Sequence, residues 1–327
     1  MKGEEVVILE IERPLLDLEN KIEELRKLSS TSKVDLSEEI KALEQKVEEL
    51  KNDIYSNLTT WDRVQIARHT ERPCTGEYVN AIFSDFFELR GDRESKDDPA
   101  ILAGLAKLES RTVAVIGHQK GKNTKDNLKH NFGMGAPEGF RKAGRVMEMA
   151  AKFGFPIITF IDTPGAYPGK EAEEKGQYEA ISTNILRMMR IPTPIICVVI
   201  GEGGSGGALA IGVGDHIIML ENSIYSVISP EGCASIIWRD ATRASEAAKA
   251  LRITAQEILE MGLVDEIIPE PQGGAHRNPE QVFEAVRESL ITNLEKLCSI
   301  PREEMPKRRY EKYRRMGVFR EITGEEK

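Results

Sequence analysis

The feature that most narrows what this chain can become is a series of strand-length apolar runs, at residues 101–108, 112–117, 157–161, 195–201, 216–220 and 224–228. Helical stretches separate several of them, at 137–153, 172–189 and 208–213. A run that is apolar at every position is buried on both faces, and strands alternating with helices are what a mainly parallel sheet requires. An α/β fold is therefore expected. The 327 residues, 40% of them hydrophobic, suffice for a sizeable core. No run approaches the roughly 20 apolar residues of a membrane-spanning helix. The opening Met1-Lys2-Gly3-Glu4-Glu5 lacks the apolar run of a signal peptide and is too acidic for a transit peptide, so a cytoplasmic protein with no membrane association is expected.

The first sixty residues follow a different rule. Leu36, Ile40, Leu43, Val47, Leu50 and Ile54 make a heptad stripe, and Leu15, Leu18, Ile22, Leu25 and Leu28 make a shorter one upstream. Ser29-Ser30-Thr31-Ser32 breaks the two apart, and Asp35 with Glu38 can cap the second helix. The pattern predicts a helical hairpin arm over residues 1–60 and a separate body over 61–327. So thin a hairpin buries little alone and is expected to pack on another surface, in this chain or a partner. Within the body, 61–68 and 78–87 read as short helices. The tail after Asn278 reads as helical, turning basic at Lys307-Arg308-Arg309 and Arg314-Arg315.

Charge and cysteine usage exclude several function classes. A net charge of -9 argues against general nucleic-acid binding, which needs a basic face. Cys74, Cys197, Cys233 and Cys298 form no CxxC pair, and His69, His118, His130, His216 and His276 form no HExxH, so no disulfide framework and no metal held by this chain are expected.

Two segments carry the chemistry. Asp162-Thr163-Pro164-Gly165-Ala166-Tyr167-Pro168-Gly169 follows a strand, and its prolines and glycines predict a rigid, exposed loop. Gly201-Glu202-Gly203-Gly204-Ser205-Gly206-Gly207 also follows a strand and runs into a small-residue helix. Glycines here let the backbone approach a ligand and aim N–H groups at it, aided by the positive end of the helix. Such a device stabilises negative charge developing on an oxygen. Other readings compete by letter. Gly201, Gly203 and Gly206 match a dinucleotide fingerprint, with Glu221 where a ribose-binding acid belongs, though strands and the other special loop precede it. Gly203-Gly204-Ser205-Gly206-Gly207 matches a nucleophile elbow, with Asp215, His216 and His276 as the available partners. Asp162-Thr163-Pro164-Gly165 matches a GTPase switch, but no phosphate-binding GxxxxGK[ST] loop accompanies it.

Taken together, Gly117-His118-Gln119-Lys120-Gly121, Asn131-Phe132-Gly133-Met134, residues 161–169, residues 201–215 and Tyr225-Ser226-Val227-Ile228-Ser229-Pro230-Glu231-Gly232-Cys233-Ala234 resemble the alpha subunits of bacterial acetyl-CoA carboxylase carboxyltransferases, over essentially the whole chain. The resemblance departs at Gly135, where the family pattern leads one to expect proline. It implies a crotonase (ClpP-like) fold of stacked ββα units with strands in two roughly perpendicular sheets. It implies transfer of a carboxyl group from carboxybiotin, borne on a separate biotin carboxyl carrier protein and made by biotin carboxylase, to acetyl-CoA, giving malonyl-CoA for fatty acid synthesis. A zinc-ribbon beta subunit would complete an α2β2 assembly, and this chain would be inactive without it. The N–H groups of Gly206 and Gly207 would hold the biotin carbonyl oxygen. Gly203, Gly204 and Ser205 would shape that turn, and Thr163, Pro164, Gly165, Ala166 and Tyr167 would line the cleft. Lys120 would meet a CoA phosphate, and the basic tail CoA or a partner; solvated surface is the alternative for both.

Overall fold

The computed structural model describes residues 9–32 and 36–318. Helices α1 (Arg13–Ser32) and α2 (Ser37–Ser56) form an antiparallel hairpin whose apolar stripes close on each other. Leu15, Ile22 and Val47 are buried between them, flanked by Leu18, Ile40, Leu43, Leu50 and Ile54. Arg26–Glu44 (2.5 Å) and Lys51–Glu19 (3.1 Å) pair across the helices from outside. The hairpin meets the body at its root through polar contacts. Glu12 accepts from Tyr55 Oη (2.6 Å) and Arg277 (2.8 Å), and Gln272 donates to Asn52 (2.6 Å). Asp35, the expected cap of α2, lies outside the described residues.

Helix α3 (Thr60–Ala67) starts at a capping box between Thr59 and Asp62. Helix α4 (Thr75–Ile82) is shorter than the expected 78–87, because Phe83 is already extended and the next residues form β1 (Ser84–Glu88). Phe86 packs so closely on Gly104 of the neighbouring strand that a side chain at 104 would collide with its ring. This cross-strand packing outweighs the helical spacing of the run. Strands β2 (Ile101–Leu108) and β3 (Arg111–His118) form an unbroken hairpin from Ile101↔His118 to Leu108↔Arg111. Helices α5 (Thr124–Lys129) and α6 (Pro137–Phe153) lead to β4 (Ile157–Thr163). The helix expected over 172–189 is two, α7 (Lys170–Glu174) and α8 (Gln177–Arg190), divided at Gly176, whose φ of 80° is left-handed. Next come β5 (Ile195–Gly204) and α9 (Ser205–Leu209), which starts and ends earlier than the expected 208–213. Then follow β6 (His216–Leu220), β7 (Ile224–Ser226), α10 (Pro230–Trp238), α11 (Ala244–Leu251), α12 (Ala255–Glu260), β8 (Glu266–Ile268), α13 (Pro279–Cys298) and α14 (Met305–Arg314).

The strands form a mixed sheet in the order β1-β2-β3-β4-β5-β6-β8, antiparallel up to β3 and parallel beyond it. Its central strands are apolar on both faces, as their composition requires. Ile157, Ile161, Ile195, Cys197 and Val199 face Phe140 and Met147 of α6 and Met188 of α8. Ile158, Phe160, Ile196, Val198 and Ile200 face Tyr78 of α4 and Val282 and Leu290 of α13. The basic tail is not a solvated face at Arg309, which is buried. Its guanidinium donates to Asp215 (2.6 and 3.0 Å) and to the carbonyls of Met188, Ile191 and Thr193, latching α14 onto the sheet. Among the described residues no helix is long and apolar enough to cross a membrane.

Strand β5 changes partners along its length. Ile196 to Val199 pair with β6, whereas Glu202, Gly203 and Gly204 pair with β7. On its other side the register with β4 jumps from Ile161↔Val199 to Thr163↔Gly203, a bulge that carries extra residues on β5 and bends it. Through this change of partner all eight strands join one hydrogen-bonded sheet, where two roughly perpendicular sheets were expected.

Candidate active site

The two expected segments meet at the carboxyl ends of β4 and β5, the position at which open α/β sheets place their ligands. Asp162 and Thr163 still belong to β4 and are buried, so the exposed loop begins only at Pro164. The Thr163 hydroxyl donates to the Gly165 carbonyl (2.6 Å) and accepts from Gly165 N–H (3.1 Å), closing the first turn. Further along, Tyr167 N–H (3.0 Å) and Gln177 Nε2 (2.9 Å) both donate to the Gly135 carbonyl. Gly135 therefore ties the loop down, and Phe140, 2.8 Å from where a Cβ at 135 would lie, fills the space of the absent side chain.

The glycine segment packs on this loop backbone to backbone. A side chain at Gly204 would collide with the Pro164 carbonyl, and one at Gly203 with the Tyr225 ring. A Cβ on Gly207 would lie 2.5 Å from the Gly165 carbonyl carbon and 2.6 Å from Ala166 N. Gly206 differs: its nearest neighbour would be Ile181 at 3.6 Å, an ordinary contact. Ser205 is exposed and sits at φ 48°, a left-handed conformation unusual for a non-glycine residue. Strain of this kind costs about 1–3 kcal/mol and persists only where the surroundings enforce it. In α9 the first-turn N–H groups, those of Gly206 and Gly207 among them, have no acceptor within the helix. Beside them opens a mainly apolar cleft of about 380 Å³, with Leu209, Tyr225, Val227, Ile253 and Leu263 in its walls.

A part-buried ion cluster, with Asp162 and Glu202 at its buried centre, braces the segment. Lys120 Nζ lies 2.7 Å from Asp162 Oδ1 and 2.9 Å from Glu202 Oε2, and Arg68 reaches Glu202 (2.7 Å) and Glu231 (2.6 Å). Asp162 Oδ1 also accepts from Glu202 N–H (3.0 Å), inside the bulge. Burial alone would push the Lys120 ammonium down, but the two carboxylates outweigh it and raise its pKa. Burial likewise opposes ionisation of Glu202, and Lys120 and Arg68 reverse this, holding its carboxyl below the ordinary range. The charge of Lys120, read from sequence as a phosphate contact, is thus already balanced inside the chain. Lys122 donates to the carbonyls of Glu71 and Arg72 and pairs with Glu77.

The competing readings lose their partners. Asp215 is paired with Arg309, His216 Nε2 with Glu266 (2.9 Å), and His276 stacks on His69 at 3.9 Å, so none of the three serves Ser205. For a dinucleotide fingerprint the glycines should lie in a loop that opens a crossover helix. Gly201, Gly203 and Gly204 are instead in β5, α9 is one short turn, and Glu221 accepts from Glu270 N–H. Among the described residues no group of three or more His, Cys, Asp or Glu side chains could hold a metal ion. The sequence reading missed Arg68, Asp162 and Glu202 as a unit, and also His118, whose buried ring reaches the Gly207 carbonyl (3.2 Å).

With this geometry in hand, comparison with known proteins is informative. The profile of a family described as "Acetyl co-enzyme A carboxylase carboxyltransferase-like" matches residues 8–317. A Bacillus cytotoxicus protein named acetyl-coenzyme A carboxylase carboxyl transferase subunit alpha is 56% identical over 309 residues, covering 94% of this chain and 95% of the relative. The protein of the same name from Bacillus thuringiensis is also 56% identical over 309 residues, with the same coverage. Among solved structures, transcarboxylase 12S with methylmalonyl-coenzyme A and methylmalonic acid bound superposes with a TM-score of 0.57 at 16% identity. The match covers 77% of this chain and 43% of that one, so the chain spans less than half of the transcarboxylase. A Pseudomonas malonate decarboxylase hetero-dimer gives 0.53 at 17%, covering 66% and 88%. At these identities the structures establish a shared fold, the crotonase-like α/β fold of carboxyltransferases.

Proposed function

The chain belongs to the acetyl-CoA carboxylase carboxyltransferase alpha family, and from that premise we propose that it is the alpha half of an enzyme moving a carboxyl group from carboxybiotin to acetyl-CoA, giving malonyl-CoA. The observation that carries the reading to particular residues is the glycine turn. Its first-turn amides are unpaired within the helix, and the backbone of residues 163–166 clamps it beside an apolar cleft. The cleft suits a bicyclic ring of low polarity with one carbonyl to be held, so the residues present fit biotin. Bound carboxybiotin, delivered on a separate carrier protein, supplies the carboxyl group.

The chain's own residues do the rest. The N–H groups of Gly206 and Gly207 hold the ureido oxygen as it gains negative charge; losing one such donor costs about 3–4 kcal/mol of barrier. Gly203 and Gly204 let β5 approach Tyr225 and Pro164 closely enough to form the turn. Ser205 sits at its mouth. Of the expected cleft loop, Thr163, Pro164, Gly165 and Ala166 back the turn through their backbone, and neither they nor Tyr167 lines the apolar cleft itself. Lys120 keeps the ends of β4 and β5 in register through Asp162 and Glu202. No side-chain base is required of this chain, since a departing biotin heteroatom can take the acetyl proton. A zinc-ribbon beta subunit completes the acyl-CoA side, biotin carboxylase recharges the carrier, and the arm of residues 1–60 is a separate unit available to the partner.

The test is transfer of radiolabelled carboxyl from free carboxybiotin to acetyl-CoA, by this chain alone and with a cognate beta subunit. Activity confined to the assembled pair is expected. A pair that assembles and transfers nothing would sink the proposal.

A further inference from the structure

The carbonyl of Gly207 has lost its place in the helix. In a longer helix it would accept from the N–H of Ile211, but α9 ends at Leu209 and that N–H turns to the Ala208 carbonyl at 3.3 Å. Gly207 is buried, and a buried carbonyl left unpaired costs about 1–3 kcal/mol. His118, the last residue of β3, takes up the vacancy, with Nε2 3.2 Å from the Gly207 oxygen. A carbonyl only accepts, so the Nε2–H tautomer is the one that makes this contact a hydrogen bond, and it leaves Nδ1 bare. Nδ1 is buried with no hydrogen-bond partner. The ring is wholly buried, with Phe140 edge-on at 6.5 Å, and desolvation drives its pKa down to about 3, so it stays neutral at ordinary pH. Its own backbone is fixed by the β2–β3 ladder and by the Thr75 hydroxyl, which donates to the His118 carbonyl at 2.5 Å.

We infer that His118 is a positioning residue for carboxyl transfer: its neutral Nε2–H tautomer anchors the Gly207 carbonyl and thereby sets the angle at which the Gly206 and Gly207 amides meet the developing oxyanion. The inference rests on the donor role proposed above for those two amides. Glycine has the freest backbone of any residue, so donors placed on consecutive glycines need bracing from outside. The loop at Gly165 and Ala166 braces the Cα side of Gly207, and His118 braces its oxygen. An imidazole held neutral does so without adding a charge beneath the oxyanion.

The experiment uses the assembled alpha–beta complex with free carboxybiotin as donor, and compares wild type, His118→Phe and His118→Gln. Phenylalanine keeps the ring and loses the donor; glutamine returns an N–H near the same place. His118→Phe is expected to lower kcat about 30- to 300-fold with KM for acetyl-CoA and assembly unchanged, and His118→Gln to regain at least about ten-fold of that. A His118→Phe kcat within about two-fold of wild type, or a glutamine variant no better than phenylalanine, overturns the inference. Histidine-labelled 15N NMR of the chain reads the tautomer without turnover. It should show Nε2–H with no titration down to about pH 5, and an Nδ1–H ring overturns the inference. An inactive wild-type complex instead overturns the reading of the reaction, while the tautomer still decides whether His118 holds Gly207.

Discussion

Gly206 and Gly207 are neighbours in sequence and carry different constraints. Gly207 has backbone on the side where a Cβ would stand, whereas Gly206 has open space out to Ile181. Gly207→Ala should therefore lower the melting temperature as well as kcat. Gly206→Val should leave melting and assembly near wild type while carboxyl transfer falls by about 10²-fold, the cost of losing one oxyanion contact. Lys120 offers a second test. Replacing it with methionine leaves buried Asp162 without its ammonium partner and Glu202 with Arg68 alone, and should cost about 3–5 kcal/mol by denaturant titration. Its pH dependence has a definite sign. The Glu202 carboxyl is held below its ordinary 4.5, so its contribution is full above that pH and fades as acid protonates it. The Lys120 pKa is raised above its ordinary 10.5, so its contribution is full below that pH and fades only in stronger alkali. The stability gap between wild type and Lys120→Met should hence be widest between about pH 5 and 10 and narrow below about pH 4.5.

The elements themselves were largely legible. The run 216–220 and the helix 137–153 have the boundaries their apolar patterns indicate, because local periodicity and Pro137 at the first helical turn define them. Legibility failed where distant contacts decide. Helix α4 yields to β1 because Phe86 packs on Gly104, and α9 is displaced because β5 continues through its glycines to reach β7. The glycine turn and the proline loop could be found because their residue types act locally. Arg68, Lys120 and His118 could not be assigned, since their partners lie 134, 82 and 89 residues away. At this scale the latch of α14 is testable. Arg309→Leu leaves Asp215 buried and uncompensated and should destabilise the fold by about 3–5 kcal/mol, measured by urea unfolding.

At the scale of the molecule, the arm and the body are joined by few contacts. Glu12 and Asn52 accept hydrogen bonds from Arg277 and Gln272, Tyr55 donates to Glu12 within the arm, and the apolar stripes of the arm are spent on each other. A chain beginning at Asn57 should therefore melt within about 5 °C of the full chain. If the arm serves the partner, the same truncation weakens association with the beta subunit in sedimentation velocity. Unchanged association would assign the arm another role.

The closure of the glycine turn on the proline loop also has a consequence for inheritance. Positions 204 and 207 abut the backbone of 164, 165 and 166, so neither stretch can drift alone. A descendant that gains a side chain on one strand end survives only if the opposite loop recedes in the same lineage. The two stretches, some forty residues apart in the chain, should therefore change together or not at all.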